Sequence, residues 1–193
     1  MGIGISLYAQ ENKDLIPSSV NAPNGPVSNA SWETMDLRLD AVGGQPGNWD
    51  GLGRLYDEQI LPAPKLFYCP SHHGNHPYAD YSADWGGGSG GIVGNFQYRA
   101  AGLSQRRTQA NPNGVHTTSL SLMLPQTALA ADGMRTQEDF NHGIGANVLR
   151  AGLSVDWWRD PGNFIGLLPK DGQIPTGTML EAWNSLDGIP PPL

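Results

Sequence analysis

The sequence predicts an α+β fold in which an N-terminal helix packs on a small antiparallel sheet wrapped in long Gly- and Pro-rich loops. Three observations lead there. Apolar residues make up 38% and charged residues 15% of the 193, while 26 Gly and 16 Pro supply roughly a fifth of the chain, a share that implies many turns and few long helices. Six Trp, six Tyr and four Phe supply apolar area to anchor such loops, which argues against general disorder. The segment His142–Trp158, HGIGANVLRAGLSVDWW, alternates about a glycine turn as a β-hairpin does. The length fits one domain over residues 1–193.

Residues 2–13 suit a short helix with Ile3 and Leu7 on one side and Tyr8 on the adjoining stripe, ending before Pro17. So short a helix is marginal alone and needs a partner surface or an upstream continuation. Residues 18–30 have turn composition. Ser31 then reads as the N-cap of an amphipathic helix carrying Trp32, Met35, Leu39 and Val42, stopped by Gly43-Gly44. A third helix fits residues 51–60, stopped by Pro62 and Pro64, and LFYC at 66–69 has strand composition. Residues 70–95 read mainly as loop, 93–101 as an exposed or edge strand, and TALAAD as a buried strand ending at Asp132-Gly133.

In the hairpin the turn falls at Ala151-Gly152 or at Gly152-Leu153, the second matching a type II′ turn. Either choice places Val148, Val155 and Trp157 on one face. Near the C-terminus, Thr178 and Glu181 form a capping-box pattern, and a Pro-rich tail closes residues 176–193.

The net charge of −7 and a single basic pair, Arg106-Arg107, argue against a nucleic-acid partner, which demands many phosphate-neutralising cations. With Cys69 as the sole cysteine no internal disulfide can form. No apolar run reaches the length of a membrane span, and the first residues lack a basic n-region with a long apolar stretch.

Four segments together resemble the globular part of bacterial prepilin-type, pseudopilin-like proteins with a C-terminal H-x9-D-G motif. They are GIGISLYAQENKDLIPSS, GLGRLYDEQILPAPKLFYCPS, QTALAAD and HGIGANVLRAGLSVDWW, in that order over most of residues 2–158. The motif's Asp-Gly falls on Gly152-Leu153, so the carboxylate is lost while a turn can be kept. The resemblance implies a pilin-like fold with residues 1–15 as the end of a long N-terminal helix. It also implies a structural role in a type II secretion or type IV pilus-like filament, self-assembly or assembly with other pilin-like subunits, and a position outside the cytoplasmic membrane. It further implies that an apolar anchoring helix of about 20 residues precedes Met1 in the reading frame.

Candidate chemistry concentrates in CPSHHGNHPYAD, where Cys69, His72, His73 and His76 are zinc-type ligands. The spacing matches no common zinc signature, which favours a surface loop with a partly buried Cys69. His142, with Asp132, Asp139 or Asp156 brought near by folding, is a candidate His–carboxylate pair. No nucleophile in a recognisable setting accompanies it, so the expectation is a non-catalytic protein in which His142 orders the approach to the hairpin. Asp80, Asp84, Asp132, Asp160 and Asp171 offer calcium-type oxygens without the EF-hand series. GGGSGG at 86–91 lacks the Lys-Ser/Thr of a phosphate loop. Trp157 and Trp158 point to opposite strand faces, so one is expected in the core and the other under a loop or exposed at an interface. No cofactor is expected, with calcium or zinc the only ions to weigh. The rival readings are a glycan- or protein-binding module and, last, a metal-dependent hydrolase.

Overall fold

The computed structural model describes residues 1–21, 34–41, 43, 45, 47–99, 108–110, 116–160, 163–170 and 176–188. Its helices are α1 (Gly2–Glu11), α2 (Arg54–Asp57), α3 (Tyr78–Trp85), α4 (Phe164–Leu167) and α5 (Thr176–Leu186). Its strands are β1 (Asp36–Arg38), β2 (Ile92–Val93), β3 (Phe96–Tyr98), β4 (Thr108–Ala110), β5 (His116–Thr118), β6 (Ala128–Asp132), β7 (Ala146–Arg150) and β8 (Val155–Trp158). The central sheet is antiparallel in the order β3-β6-β7-β8, and β1-β2 and β4-β5 form separate antiparallel pairs. The architecture is α+β.

The four-stranded sheet is covered on both faces over β6 and most of β7, while its edge strand β8 is largely exposed. Register places Tyr98, Ala130 and Leu149 on one face, where they pack with Ile5 and Tyr8 of α1, Leu52, Leu55 and Phe67. Ala131 and Val148 point the other way and meet Met179, Ala182, Trp183 and Leu186 of α5 with Phe164 of α4. A sheet covered on both faces carries apolar residues on both, which is why β6 reads as an uninterrupted apolar run buried throughout.

In α1 the buried stripe is Ile5, Tyr8 and Ala9 with Gly4, at the i, i+3, i+4 spacing of one helix face. Ile3 and Leu7, the apolar pair read on one side, are 76% and 44% exposed, while Tyr8 on the adjoining stripe is buried. Gly4 permits this choice, since a Cβ there would lie 2.8 Å from the Leu61 side chain. Asn12 stops the helix by donating its side-chain amide to Tyr8 O at 3.0 Å, and Lys13 and Asp14 follow in left-handed conformation.

Three local expectations are corrected. Met35 and Leu37 belong to or flank strand β1 rather than a helix, because their alternate burial and pairing with β2 win over the helical spacing; Trp32 and Val42 lie outside the described residues. LFYC is not a strand: a 3-10 turn, Pro64–Phe67, starts on a proline whose fixed φ suits a helical first residue. It delivers Phe67 to Trp85, stacked at 5.3 Å between ring centroids. The stretch 70–95 holds α3, whose one buried residue, Trp85, leaves almost no periodic signal. Trp85 also contacts Trp49 and Tyr56 and donates its indole N–H to the Tyr68 hydroxyl at 3.2 Å, so this ring cluster anchors the surrounding loops. At the other end, α5 begins at Thr176, ahead of the predicted capping box.

The hairpin forms, with a turn that differs from both two-residue alternatives. Leu153 N–H donates to Arg150 O at 2.9 Å and Arg150 N–H to Ser154 O at 2.8 Å, with Leu153 at φ +67°. This is a three-residue loop whose last residue is left-handed. An odd loop shifts pairing parity by one. Leu149 therefore faces Val155, Asn147 faces Trp157 and Val148 faces Asp156. Trp157 and Val155 share the face of Asn147 and Leu149, not that of Val148 as the even loops implied.

Candidate functional site

At the end of the sheet where β6 stops and β7 begins, three chemically distinct side chains converge. Asp132 closes β6 with a side chain 1% exposed. His142, on the segment joining β6 to β7, brings Nε2 to 3.8 Å from Asp132 Oδ2 and 4.0 Å from Cys69 Sγ. Cys69 arrives on the loop after the Pro64–Phe67 turn, and the ligating atoms of all three lie within 4.8 Å of one another.

An asparagine framework holds this arrangement. Asn95, just before β3, accepts from Cys69 N–H on Oδ1 at 3.3 Å, donates to His76 O at 2.9 Å, and accepts on its carbonyl from Gly133 N–H at 3.0 Å. Asn141 Nδ2 donates to Asp132 Oδ1 at 2.6 Å and to Asn95 O at 3.1 Å. Asn147 donates its backbone N–H to Asp132 Oδ2 at 2.7 Å, and its side-chain amide lies 3.1 Å from His142 Nε2. Trp157 flanks the site, its ring edge-on to His142 at 5.3 Å between centroids. An apolar cavity of about 150 Å³ adjoins, lined by Met1, Phe96, Asn147, Leu149 and Val155 among others.

Burial pushes the Cys69 thiol up, and the Asp132 charge adds to that, against partial relief from Ser71 and His72. A thiol so held is a poor nucleophile at neutral pH, since the thiolate is the reactive form. The geometry also differs from a nucleophile–base–carboxylate relay, in which the carboxylate holds one ring nitrogen and the nucleophile faces the other. Here Cys69 and Asp132 both face Nε2 of His142.

The other predicted residues are placed separately. Cys69 does not gather His72, His73 and His76: His72 Nε2 contacts Asn75 O, His73 is exposed, and His76 is held between Arg135 and the Tyr81 hydroxyl. Of the acids weighed as partners of His142, Asp139 pairs with Arg135 at 3.4 Å and Asp156 with Arg150 at 2.8 Å, which leaves Asp132. Asp84 accepts from Gly90 N–H at 2.8 Å, and Arg38 donates to Gly90 O, so the glycine run is tied down by its own chain. Asp160 caps α4 through the N–H groups of Phe164 and Ile165; Asp80 is exposed and Asp171 lies outside the described residues. Trp158 packs toward Phe164 in the second core and Trp157 is 43% exposed, which sorts the pair into core and surface. Asn95, Asn141 and Asn147 escape sequence reasoning, because an asparagine, whether buried like Asn95 and Asn141 or exposed like Asn147, carries no periodic or motif signal.

No family model, curated protein or solved structure matches this chain. Among the described residues no helix is long and apolar enough to cross a membrane.

Proposed function

We propose that this chain is the globular part of a pilin-like or pseudopilin-like subunit, a structural and non-catalytic component of a type II secretion or type IV pilus-like filament outside the cytoplasmic membrane. One observation carries the reading: α1 is apolar on both sides. Ile5, Tyr8 and Ala9 are buried against the sheet and its neighbours, while Ile3 and Leu7 stand in solvent one turn apart. A helix apolar all round belongs where both sides are covered. In a filament the inner side meets its own sheet and the outer side meets neighbouring subunits. The hairpin turn gives further support, since residue 153, where the H-x9-D-G pattern has glycine, is left-handed at φ +67°, a conformation glycine takes without steric cost.

The test uses the full-length gene product in its native host. It is expected in sheared surface filaments, and the pair Ile3→Asp and Leu7→Asp is expected to remove it from them. The same substitutions together should cost the purified chain no more than about 2 kcal/mol, because Ile3 is 76% and Leu7 44% exposed and the remaining cost is lost helix propensity and the covered part of Leu7. Persistent absence of the wild-type protein from filaments at normal expression counts against the assignment.

A further inference from the structure

We propose that Cys69, Asp132 and His142 bind one zinc-class divalent ion, which staples the Cys69 loop to the sheet and to the approach to the hairpin. In a tetrahedral zinc site with bonds of about 2.0–2.3 Å, neighbouring ligand atoms stand about 3.5 Å apart. His142 Nε2 lies 3.8 Å from Asp132 Oδ2 and 4.0 Å from Cys69 Sγ. The first of these is too long for a hydrogen bond, and both need only a few tenths of an ångström of contraction around a metal, while Cys69 and Asp132, within 4.8 Å of each other, close by up to about 1.3 Å.

The donor set gives the class of ion. A thiolate with an imidazole selects zinc and its borderline-soft neighbours over calcium or magnesium, which take oxygen ligands. Binding exchanges the Cys69 thiol proton for the metal and releases that proton to solvent. The surroundings are those of a supported ligand shell. Both Asp132 oxygens accept hydrogen bonds, from the Asn141 side chain at 2.6 Å and from the Asn147 backbone N–H at 2.7 Å, while the Asn147 side-chain amide, 3.1 Å from the ligating His142 Nε2, gives that nitrogen up to the ion. Such partners orient ligands and tune affinity. Three protein ligands leave a fourth position, which falls to water on the side where Cys69 and His142 are only partly buried.

The inference is independent of the filament reading, because it is tested on the purified chain, made without a histidine tag, stripped with chelator and titrated with zinc or cobalt alone. One ion per chain is expected after desalting, with a thiolate-to-cobalt charge-transfer band in the near ultraviolet. Cys69→Ser should abolish the band, and His142→Gln should abolish stoichiometric retention of zinc. Asn141→Ala, which removes the side-chain donor to Asp132 Oδ1, should weaken zinc binding by about 10- to 100-fold. His73→Ala, on the exposed part of the same loop, should leave the band and the stoichiometry unchanged. Cys69 and His142 are partly exposed, so their variants keep the test decisive even where Asp132→Asn fails to fold, and circular dichroism reports the fold in each. Substoichiometric metal in the wild type, a band that survives Cys69→Ser, or binding lost with His73→Ala overturns the proposal.

Discussion

The contact that ties α5 to the sheet offers the sharpest test of the packing. Arg99, directly after β3, donates through Nη1 to Asp187 Oδ2 at 2.6 Å, and each side chain is 4% exposed. The other carboxylate oxygen accepts from Ala128 N–H at 2.7 Å, and the guanidinium lies over the Trp183 ring at 5.3 Å. Burial lowers the Arg99 pKa, and the Asp187 carboxylate works against that shift; the fold holds a buried cation because the anion stands beside it. Asp187→Ala would leave the guanidinium uncompensated and Ala128 N–H without an acceptor. Removing one partner of a buried pair costs about 3–5 kcal/mol. For a chain of this size that is a fall in Tm of roughly 6–20 °C, at about 2–4 °C per kcal/mol. Thermal and urea denaturation followed by circular dichroism measure it directly. The double variant Arg99→Met with Asp187→Leu should recover at least half of the loss, since an apolar replacement of both partners removes the unpaired charge. A loss below about 1 kcal/mol for Asp187→Ala, the size of a surface ion pair, or a double variant no better than the single, would refute the reasoning.

Two further outcomes follow from close contacts and buried titration. A Cβ added at Gly53 would lie 1.8 Å from the Leu37 carbonyl oxygen, so Gly53→Ala must push the turn off β1; it should cost about 3 kcal/mol or more, whereas Gly143→Ala, whose Cβ meets nothing within 4 Å, should stay within about 0.5 kcal/mol. Equal urea midpoints for the two would contradict that. His76 accepts from Arg135 at Nε2 and meets the Tyr81 hydroxyl at Nδ1. Burial, then the Arg135 charge, hold its pKa below the ordinary histidine value, with Asp139 opposing, His72 lowering it further and Asp80 raising it. A depressed histidine pKa means that the fold favours the neutral ring. Its contribution is complete above the unfolded value of about 6.5 and is lost as pH falls below it toward the folded pKa. Urea midpoints taken from pH 7 down to 5 should therefore fall less steeply for His76→Gln than for wild type, and parallel slopes would exclude this role.

How far the fold was legible depends on whether a local signal and the tertiary context agree. TALAAD is buried on both faces and contains no turn former, so its burial and its end at Asp132 could be read directly. Met35 and Leu37 carried two overlapping patterns, a helical spacing with Leu39 and a strand alternation, and pairing with Ile92 and Val93 decided for the strand. Helix α3 escaped because its contribution is one indole at its end, and a single buried residue has no period. For α1 the sequence offers two apolar stripes, and only the neighbouring Leu61 and Leu149 determine that the one containing Ile5 turns inward.

The site was legible as ingredients and not as an arrangement, and the reason lies in one loop. Cys69, Asp132 and His142 could each be singled out by chemistry, but proximity in the chain suggested grouping Cys69 with His72, His73 and His76. Their assembly depends on which face of the sheet each strand residue takes. A two-residue turn would have set Trp157 beside Val148, on the face packed against α5. The extra residue, Leu153 in left-handed conformation, reverses that parity and puts Trp157 opposite Asn147, on the face of Asp132. Asn147 then reaches both Asp132 and His142, and Trp157 meets the His142 ring. What the hairpin contributes here thus runs through the register of β7 and β8 and not through a side chain at the turn.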